Sequence, residues 1–141
     1  MSGAPHNGRT AVDDIADIAP KLAQLTDEVV FGDMWERPGL SKRDRSLITV
    51  AALIALYRTE QLPIHLRRAL ANGCSPDELV EAITHLAFYA GWPNAFTAIN
   101  LAKTVFAEGE NAPGLRDDVE LDAVHERVVV DGSGVRGAVP K

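Results

Sequence analysis

The fold of this chain is decided by residues Trp35–Pro93, which read WERPGLSKRDRSLITVAALIALYRTEQLPIHLRRALANG and continue as CSPDELVEAITHLAFYAGWP. Three helix start signals follow one another in this stretch. Ser41 can accept a hydrogen bond from the first turn of a helix, and Pro63 is best tolerated in the first turn of the next. Ser75 and Glu78 have the spacing of a capping box. The stretch therefore predicts three consecutive helices.

The first of these helices contains the most apolar part of the chain. Residues Leu47–Leu56 read LITVAALIAL and are apolar at every position except Thr49. A helix that is apolar on every face is buried on every face, so we expect this one near the centre of the molecule. A chain of 141 residues can hardly bury such a helix completely by itself. The pattern therefore also predicts a homo-oligomer.

The flanking sequence extends the helical pattern in both directions. Residues 11–31 carry apolar side chains at helical spacing, interrupted by Pro20, which is expected to break or kink the helix. Glycines are expected to end the two helices after Pro63 and Ser75, at Gly73 and Gly91. A last helix is predicted from Pro93 to Gly109. The result is an all-α domain of five to six helices over residues 11–109.

The two ends of the chain differ from this domain. Residues 1–10 are polar and contain glycine and proline, which is typical of a flexible tail. Residues 110–141 are interpreted as an arm or tail. Within them, VHERVVVDGSGVRG alternates weakly in polarity, which is compatible with a small hairpin, an extended arm on a neighbouring subunit or a partly disordered tail.

Composition narrows the class of protein. The formal net charge is -6, which argues against a nucleic-acid or anionic-membrane partner. Cys74 is the single cysteine, so neither an intrachain disulfide nor a thiolate zinc cage is expected. The first residues are polar, unlike a signal peptide, and the apolar run is too short to span a bilayer. We therefore expect a soluble, cytoplasmic protein.

His65 is the first candidate for chemistry. It lies four residues after Gln61 and three before Arg68, so the three side chains share one helix face, and Glu60 precedes them. The amino-terminal end of a helix attracts anions, and a histidine there can act as an acid near neutral pH. The alternative is a partly buried histidine that hydrogen-bonds a carbonyl group.

His85 is the second candidate. Glu81, His85 and Tyr89 are spaced four residues apart on one predicted helix, where the carboxylate can orient the imidazole and the phenol adds a donor. The alternative is a histidine that packs against Leu86 and Phe88 on an apolar helix.

Three arginines complete the set of charged candidates. Arg43, Arg45 and Arg58 flank the apolar helix at its two ends, and guanidinium groups match carboxylates, so together they can hold a dicarboxylate. The alternative is that they are solvated or pair with acidic side chains. His65 and His85 lie on different predicted helices with no HxxxH or HxxE spacing, so no metal site is predicted.

The stretch MWERPGLSKRDRSLITVAALIALYRTEQLPIHLRRALANG, followed by SPDELVEAITHLAFYAGWPNAFTA, resembles the carboxymuconolactone decarboxylase family over about residues 19–108. The pieces WERPGLSKRDRSLITVAALIAL and HLAFYAGWPNA are similar to its decarboxylase branch. The resemblance implies an all-helical subunit that assembles into rings, as trimers or hexamers. In the related alkylhydroperoxidase D branch a CxxC pair stands where this chain has Arg58 and Gln61, so peroxidase chemistry is not expected.

The resemblance implies a decarboxylation without a cofactor. When γ-carboxymuconolactone loses carbon dioxide, the electrons pass into the unsaturated lactone carbonyl, so the intermediate is a dienolate. His65 is then the leading proton donor, and His85 with Tyr89 would stabilise the oxyanion or orient the substrate. The remaining candidates are Glu60 as a further catalytic residue and, for substrate binding, Arg45, Arg58, Gln61 and Trp92.

Two other functions are compatible with the same residues. One is a cofactor-free isomerase or cyclase that acts on another unsaturated acid or lactone. The other is a helical assembly module without catalysis, in which the histidines only pack.

Overall fold

The computed structural model describes residues 12–111, and within them the chain forms five α-helices and no β-strand. The helices are α1 (Pro20–Leu25), α2 (Lys42–Ala55), α3 (Leu62–Ala71), α4 (Pro76–Ala90) and α5 (Trp92–Glu110). A π-helical turn (Thr26–Phe31) and a 3-10 turn (Met34–Glu36) connect α1 to α2. The all-α prediction is confirmed. The predicted tail at residues 1–10 and the predicted arm, from residue 112 onward, lie outside the described residues.

The predicted helix starts are confirmed at two serines. Ser41 Oγ accepts a hydrogen bond of 3.0 Å from the Asp44 N–H at the start of α2. At the start of α4, Ser75 Oγ accepts from the Glu78 N–H at 3.1 Å, and the Ser75 N–H donates to Glu78 Oε2 at 2.8 Å. These bonds satisfy amide groups that have no partner inside the helix. The positions of both helices therefore follow from local sequence.

The end of α3 shows why a glycine follows it. The Gly73 N–H donates to Leu70 O at 3.1 Å, and the Cys74 N–H donates to Ala69 O at 2.9 Å. This pair of bonds is a Schellman motif, which places Gly73 in the left-handed region, at φ 103°. Because glycine adopts that conformation without steric cost, the chain turns there directly into α4.

Helix α2 ends with the same pair of bonds but without a glycine. The Tyr57 N–H donates to Ile54 O at 3.1 Å and the Arg58 N–H to Leu53 O at 2.8 Å. Tyr57 occupies the left-handed position at φ 57°, which is uncommon for a bulky residue. Asn94 secures this end of α2, since its Nδ2 donates to Ile54 O at 2.9 Å. The end of α2 is thus fixed by the start of α5.

The core lies where α2 packs against α3, α4 and α5, and α5 packs against α3 and α4. Its residues are aliphatic or small, and alanines let the helices approach closely. They are Val50, Ile54, Leu62, Leu66, Ala69, Cys74, Leu79, Ile83, Ala87, Ala95, Ala98, Ala102 and Val105. Cys74 packs in this core as a small apolar residue, with 4% exposure.

One expectation for α2 is wrong for the single subunit. The helix is central, but it is not buried on every face, since Ile48 is 56% and Leu56 65% exposed. The reason is geometric: α3, α4 and α5 cover one side of α2 and leave the other uncovered. The predicted oligomer would cover such a face, and it stays a prediction.

Candidate active site

His65 lies on α3 and faces the segment that connects α1 to α2. Its ring stacks on Trp35, with centroids 6.3 Å apart and an angle of 27° between the planes. The side chain is half-buried, and its Nδ1 is buried without a hydrogen-bond partner among residues 12–111. Buried polar atoms in proteins are almost always paired. A buried imidazole nitrogen without a partner therefore marks a position where a ligand can supply one.

Arg68 follows His65 on the same face of α3 and touches the same segment. Its guanidinium carbon lies 4.3 Å from the centre of the Phe31 ring and 5.4 Å from that of Trp35. Its Nη1 is buried and has no hydrogen-bond partner in the described part of the chain. Burial lowers the pKa of Arg68 from its ordinary value. Arg68 is thus a partly buried cation held between aromatic rings.

Arg45 reaches the same segment from α2. Its Nη2 donates to the backbone oxygen of Arg37 at 3.0 Å, just after the turn that carries Trp35. Its Nε is buried and, within residues 12–111, unpaired. Three side chains with unpaired buried nitrogens therefore adjoin residues 31–37, and two of them are guanidinium groups.

The backbone of this segment is shaped by the π-helical turn. The Gly32 N–H donates to Asp27 O at 2.8 Å, the bond that closes the wider turn. A Cβ atom at Gly32 would lie 2.7 Å from Glu28 O and 2.9 Å from Asp27 O, closer than real side chains approach. A side chain at this position would therefore shift the backbone of the turn that precedes Trp35. Turns of this type inside helices are frequent at functional sites.

The electrostatics of the site disfavour a free imidazolium. Burial first, and then the positive charge of Arg68, lower the pKa of His65 below its ordinary value of 6.5. The resting histidine is therefore neutral near pH 7. A bound anion would raise the pKa of His65, because its charge offsets that of the guanidinium group and favours the protonated ring. The arrangement suits a histidine that gains its proton together with an anionic ligand.

The other predicted residues near His65 lie in the turn before α3. Arg58, Glu60 and Gln61 are exposed in the segment 56–61, and Gln61 occupies the cap position of α3. The structure thus places these residues at the amino-terminal side of His65, as the sequence predicted. Their side chains are open to solvent, whereas Arg45 is partly buried.

His85 and Tyr89 form a second group, on α4. Their rings are 4.9 Å apart, as the spacing predicted, and both side chains are exposed. Trp92 lies in an edge-to-face contact with Phe88, at 5.3 Å between centroids. Within residues 12–111, no hydrogen bond or ring contact connects this group to His65. The structure therefore brings together Trp35, His65 and Arg68, and it places His85 and Tyr89 on an open surface of α4.

Trp92 also borders an apolar groove of about 160 Å³ between α4 and α5. Its other lining residues are Ile83, Thr84, Ala87, Ala95, Phe96 and Ile99. The groove has almost no polar lining, so it offers no group for binding a carboxylate.

Two contributors to the site were not predicted from the sequence. Phe31 carried no local signal, because its contact with Arg68 joins residues far apart in the chain. Trp35 opened the decisive stretch, but nothing in the sequence placed it on His65. Arg68 was noted on the face of His65 and was not selected. Its position between the two rings and its buried, unpaired Nη1 distinguish it from a surface arginine.

Two further observations concern metals and membranes. Among residues 12–111, no group of three or more His, Cys, Asp or Glu side chains has the geometry to hold a metal ion. Over the same residues, the helices are too short or too polar to cross a membrane.

Known proteins share much of this sequence. Residues 20–104 match the profile of the Carboxymuconolactone decarboxylase family. The chain is 37% identical to a 4-carboxymuconolactone decarboxylase of Acinetobacter baylyi, over 79% of this chain and 82% of that protein. It is also 37% identical to a nitrosuccinic acid decarboxylase of Metarhizium robertsii, over 54% of this chain and 53% of that protein. An uncharacterised protein of Paracoccus denitrificans is 32% identical over 57% of this chain.

Proposed function

This chain belongs to the carboxymuconolactone decarboxylase family, and from that premise we propose that it decarboxylates γ-carboxymuconolactone or a related unsaturated lactone acid without a cofactor. The observation that carries this proposal is the site at residues 31–37, which a half-buried histidine of α3 and two arginines with unpaired buried nitrogens adjoin. Such a site is built to receive an organic anion and to give it a proton.

The acids after which the two decarboxylases are named share an arrangement of groups that this site is suited to bind. In γ-carboxymuconolactone, the reacting carbon carries the carboxylate that leaves, a carboxymethyl group that stays, and an unsaturated carbonyl system that accepts electrons. In nitrosuccinic acid, the reacting carbon also carries a carboxylate and a carboxymethyl group, and the nitro group accepts the electrons. We propose that this chain acts on acids of that type: a dicarboxylate with an electron acceptor at the reacting carbon.

The chemistry needs few protein groups. The bond between the ring carbon and its carboxylate breaks and releases carbon dioxide, and the electron pair moves through the ring double bond to the carbonyl oxygen. The resulting dienolate takes a proton at the carbon next to the carbonyl, which restores the C=O bond. The electron pair left by carbon dioxide thus stays on the substrate, in the dienolate. The protein therefore has to hold the anion, stabilise the oxyanion and deliver one proton.

His65 is proposed as the donor of that proton. It is half-buried, it contacts Trp35 and it adjoins Arg68, so substrate binding would favour its protonated form. After the transfer it returns to neutral imidazole and takes another proton from solvent. Glu60 and Gln61, in the turn before α3, are proposed to border the bound substrate.

The other predicted residues are proposed to bind and orient the substrate. Arg45 is partly buried beside the site and is proposed to bind a carboxylate, whereas Arg58 is exposed. His85 and Tyr89 are proposed to stabilise the oxyanion or orient the substrate, and their support is their mutual contact at 4.9 Å. Trp92 is proposed to contact the apolar part of the substrate.

A thiol peroxidase is disfavoured by the chemistry of Cys74. A peroxidatic cysteine needs a lowered pKa and access to solvent. Cys74 is 4% exposed, and burial raises the pKa of its thiol. Because it is the single cysteine of the chain, no second thiol can resolve an oxidised intermediate.

The proposal is tested by incubating the purified protein with γ-carboxymuconolactone and measuring loss of the lactone together with carbon dioxide. We expect release of one carbon dioxide per lactone consumed, without added metal or cofactor. Consumption of the lactone without release of carbon dioxide would instead indicate an isomerase or cyclase. No consumption of this or a related lactone acid would leave the helical assembly module as the better account.

A further inference from the structure

Arg68 is the strongest feature of the site to which the proposed function has not yet assigned a substrate group. Three other arginines of the described chain have clear partners: Arg43 pairs with Glu78, Arg67 pairs with Glu108, and Arg45 donates to Arg37 O. Within residues 12–111, Arg68 forms no ion pair and has a buried Nη1 without a hydrogen-bond partner. It is nevertheless held in place by Phe31 and Trp35.

The partial burial of this guanidinium group is energetically unfavourable as long as its Nη1 has no hydrogen-bond partner. Removing a charged donor from water is unfavourable unless a partner replaces the lost hydrogen bonds. The aromatic faces attract the cation, but they accept no conventional hydrogen bond from Nη1. The missing partner is an anion with oxygen acceptors, and a carboxylate matches the planar guanidinium best.

The position of Arg68 allows it to bind a carboxylate of a substrate whose ring faces His65. Arg68 is three residues after His65, so the two side chains lie about 5–6 Å apart at their Cβ atoms. This spacing allows the histidine to face the ring while the arginine holds a group attached to it. Resting on the function proposed above, we propose that Arg68 binds the carboxymethyl carboxylate, which the substrate keeps, and so selects dicarboxylate substrates.

The alternative, that Arg68 binds the departing carboxylate, is opposed by the energetics of the reaction. As carbon dioxide forms, that carboxylate loses its charge. A cation bound to it would stabilise the substrate more than the transition state and would slow the reaction. The retained carboxylate keeps its charge throughout the reaction. A cation bound to it therefore positions the ring without raising the barrier.

The segment 31–37 explains how the arginine is held ready. Phe31 lies below the guanidinium group at 4.3 Å, and Trp35 contacts both Arg68 and His65. Trp35 thus fixes the anion-binding group and the proton donor relative to each other. A preorganised cation loses less freedom when the substrate binds, which increases affinity.

The test compares two substrates and two variants of α3. The first substrate is γ-carboxymuconolactone, and the second carries a methyl group in place of the carboxymethyl group and so lacks the retained carboxylate. The variants are Arg68→Gln and, as a matched control, Arg67→Gln, which removes the same charge from the neighbouring position. Tm is measured for each, and Arg68→Lys is added as a second variant that keeps the charge.

We expect Arg68→Gln to lower kcat/KM on γ-carboxymuconolactone by about 10- to 100-fold, the fold-change that corresponds to one charge-assisted hydrogen bond. On the methyl analogue the same substitution should change kcat/KM by less than about threefold, because the contact is already absent. Arg68→Lys should retain part of the activity, and Arg67→Gln should act like the wild type. Equal losses on both substrates, or no loss on either, would overturn the proposal.

Direct binding separates this inference from the proposed function. The probe is methylsuccinate, an unreactive dicarboxylate with the same two carboxyl groups, titrated calorimetrically against wild type and variants. Weaker binding by about 10-fold or more in Arg68→Gln alone supports the carboxylate site even if the lactone is not a substrate. Turnover of the lactone with methylsuccinate binding that is unaffected by Arg68→Gln would contradict the inference and leave the proposed function standing. Absence of both turnover and binding would contradict both.

Discussion

The substitution His65→Asn tests the role of the histidine in the chemistry. Asparagine keeps a hydrogen-bond donor and a similar bulk, but it cannot exchange a proton near neutral pH. If His65 delivers the proton to the dienolate, turnover should fall by roughly two to four orders of magnitude. This corresponds to about 3–5 kcal/mol of transition-state stabilisation.

The expected cost in stability is smaller, and the structure shows why. Nδ1 of His65 has no hydrogen-bond partner within residues 12–111, so the substitution breaks no known bond of the imidazole. What is lost is the contact with Trp35 at 6.3 Å, worth about 0.5–1.5 kcal/mol. For a domain of this size, that lowers Tm by roughly 2–12 °C. The variant should therefore remain folded at 25 °C.

The assay pairs turnover of γ-carboxymuconolactone with Tm and with the fraction of folded protein. His85→Asn is measured in parallel, since it removes the exposed histidine of α4. Turnover per folded protein that is unchanged in His65→Asn would refute the reasoning. A larger loss in His85→Asn than in His65→Asn would transfer the donor role to His85.

Four further outcomes follow from the structure. Because burial lowers the pKa of His65 below 6.5, the unfolded chain binds more protons as pH falls past that value. The free energy of unfolding should then decrease until the lower folded pKa is passed. In denaturation series, the pH dependence of wild type and His65→Asn should differ only in that range. Gly32→Ala should lower stability by about 1–3 kcal/mol and reduce turnover. Gly39→Ala should do neither, because a Cβ atom at Gly39 would have nothing within 4 Å. Equal melting curves for the two variants would contradict this. Ser75→Ala should cost about 0.5–2 kcal/mol and Thr84→Ala much less, as measured by urea denaturation. Sedimentation should show an oligomer, a trimer or hexamer, at micromolar concentration, and a monomer would remove that prediction.

The sequence predicted the helices well where local signals place them. Ser41, Pro63, Gly73 and Ser75 act on amide groups within a few residues of themselves, so their effects can be read without knowing the fold. The left-handed backbone conformation of Tyr57 could not be predicted in this way. It occupies a position that usually takes glycine, and its helix end is held by Asn94 through contacts that depend on tertiary packing.

The candidate site, like the helices, was predicted only where local spacing along the sequence determines the arrangement. His65 and its helix face were found because side chains three and four residues apart must adjoin. The contacts of Phe31 and Trp35 with Arg68 join α3 to a segment more than thirty residues away, and no local pattern specifies them. Arg58 was selected because it lies at the end of the apolar helix. Arg68 was not, because its burial and its missing hydrogen-bond partner are properties of the fold.

The most direct test of the central claim is decarboxylation of γ-carboxymuconolactone by the wild-type protein in D₂O, followed by NMR. The account predicts one carbon dioxide per lactone and one deuterium at the ring carbon next to the carbonyl, on a single face, because an enzyme group delivers it. His65→Asn should form this product far more slowly. An unchanged lactone after prolonged incubation with folded wild-type protein would contradict the account, and deuterium on both faces would show that His65 does not deliver the proton.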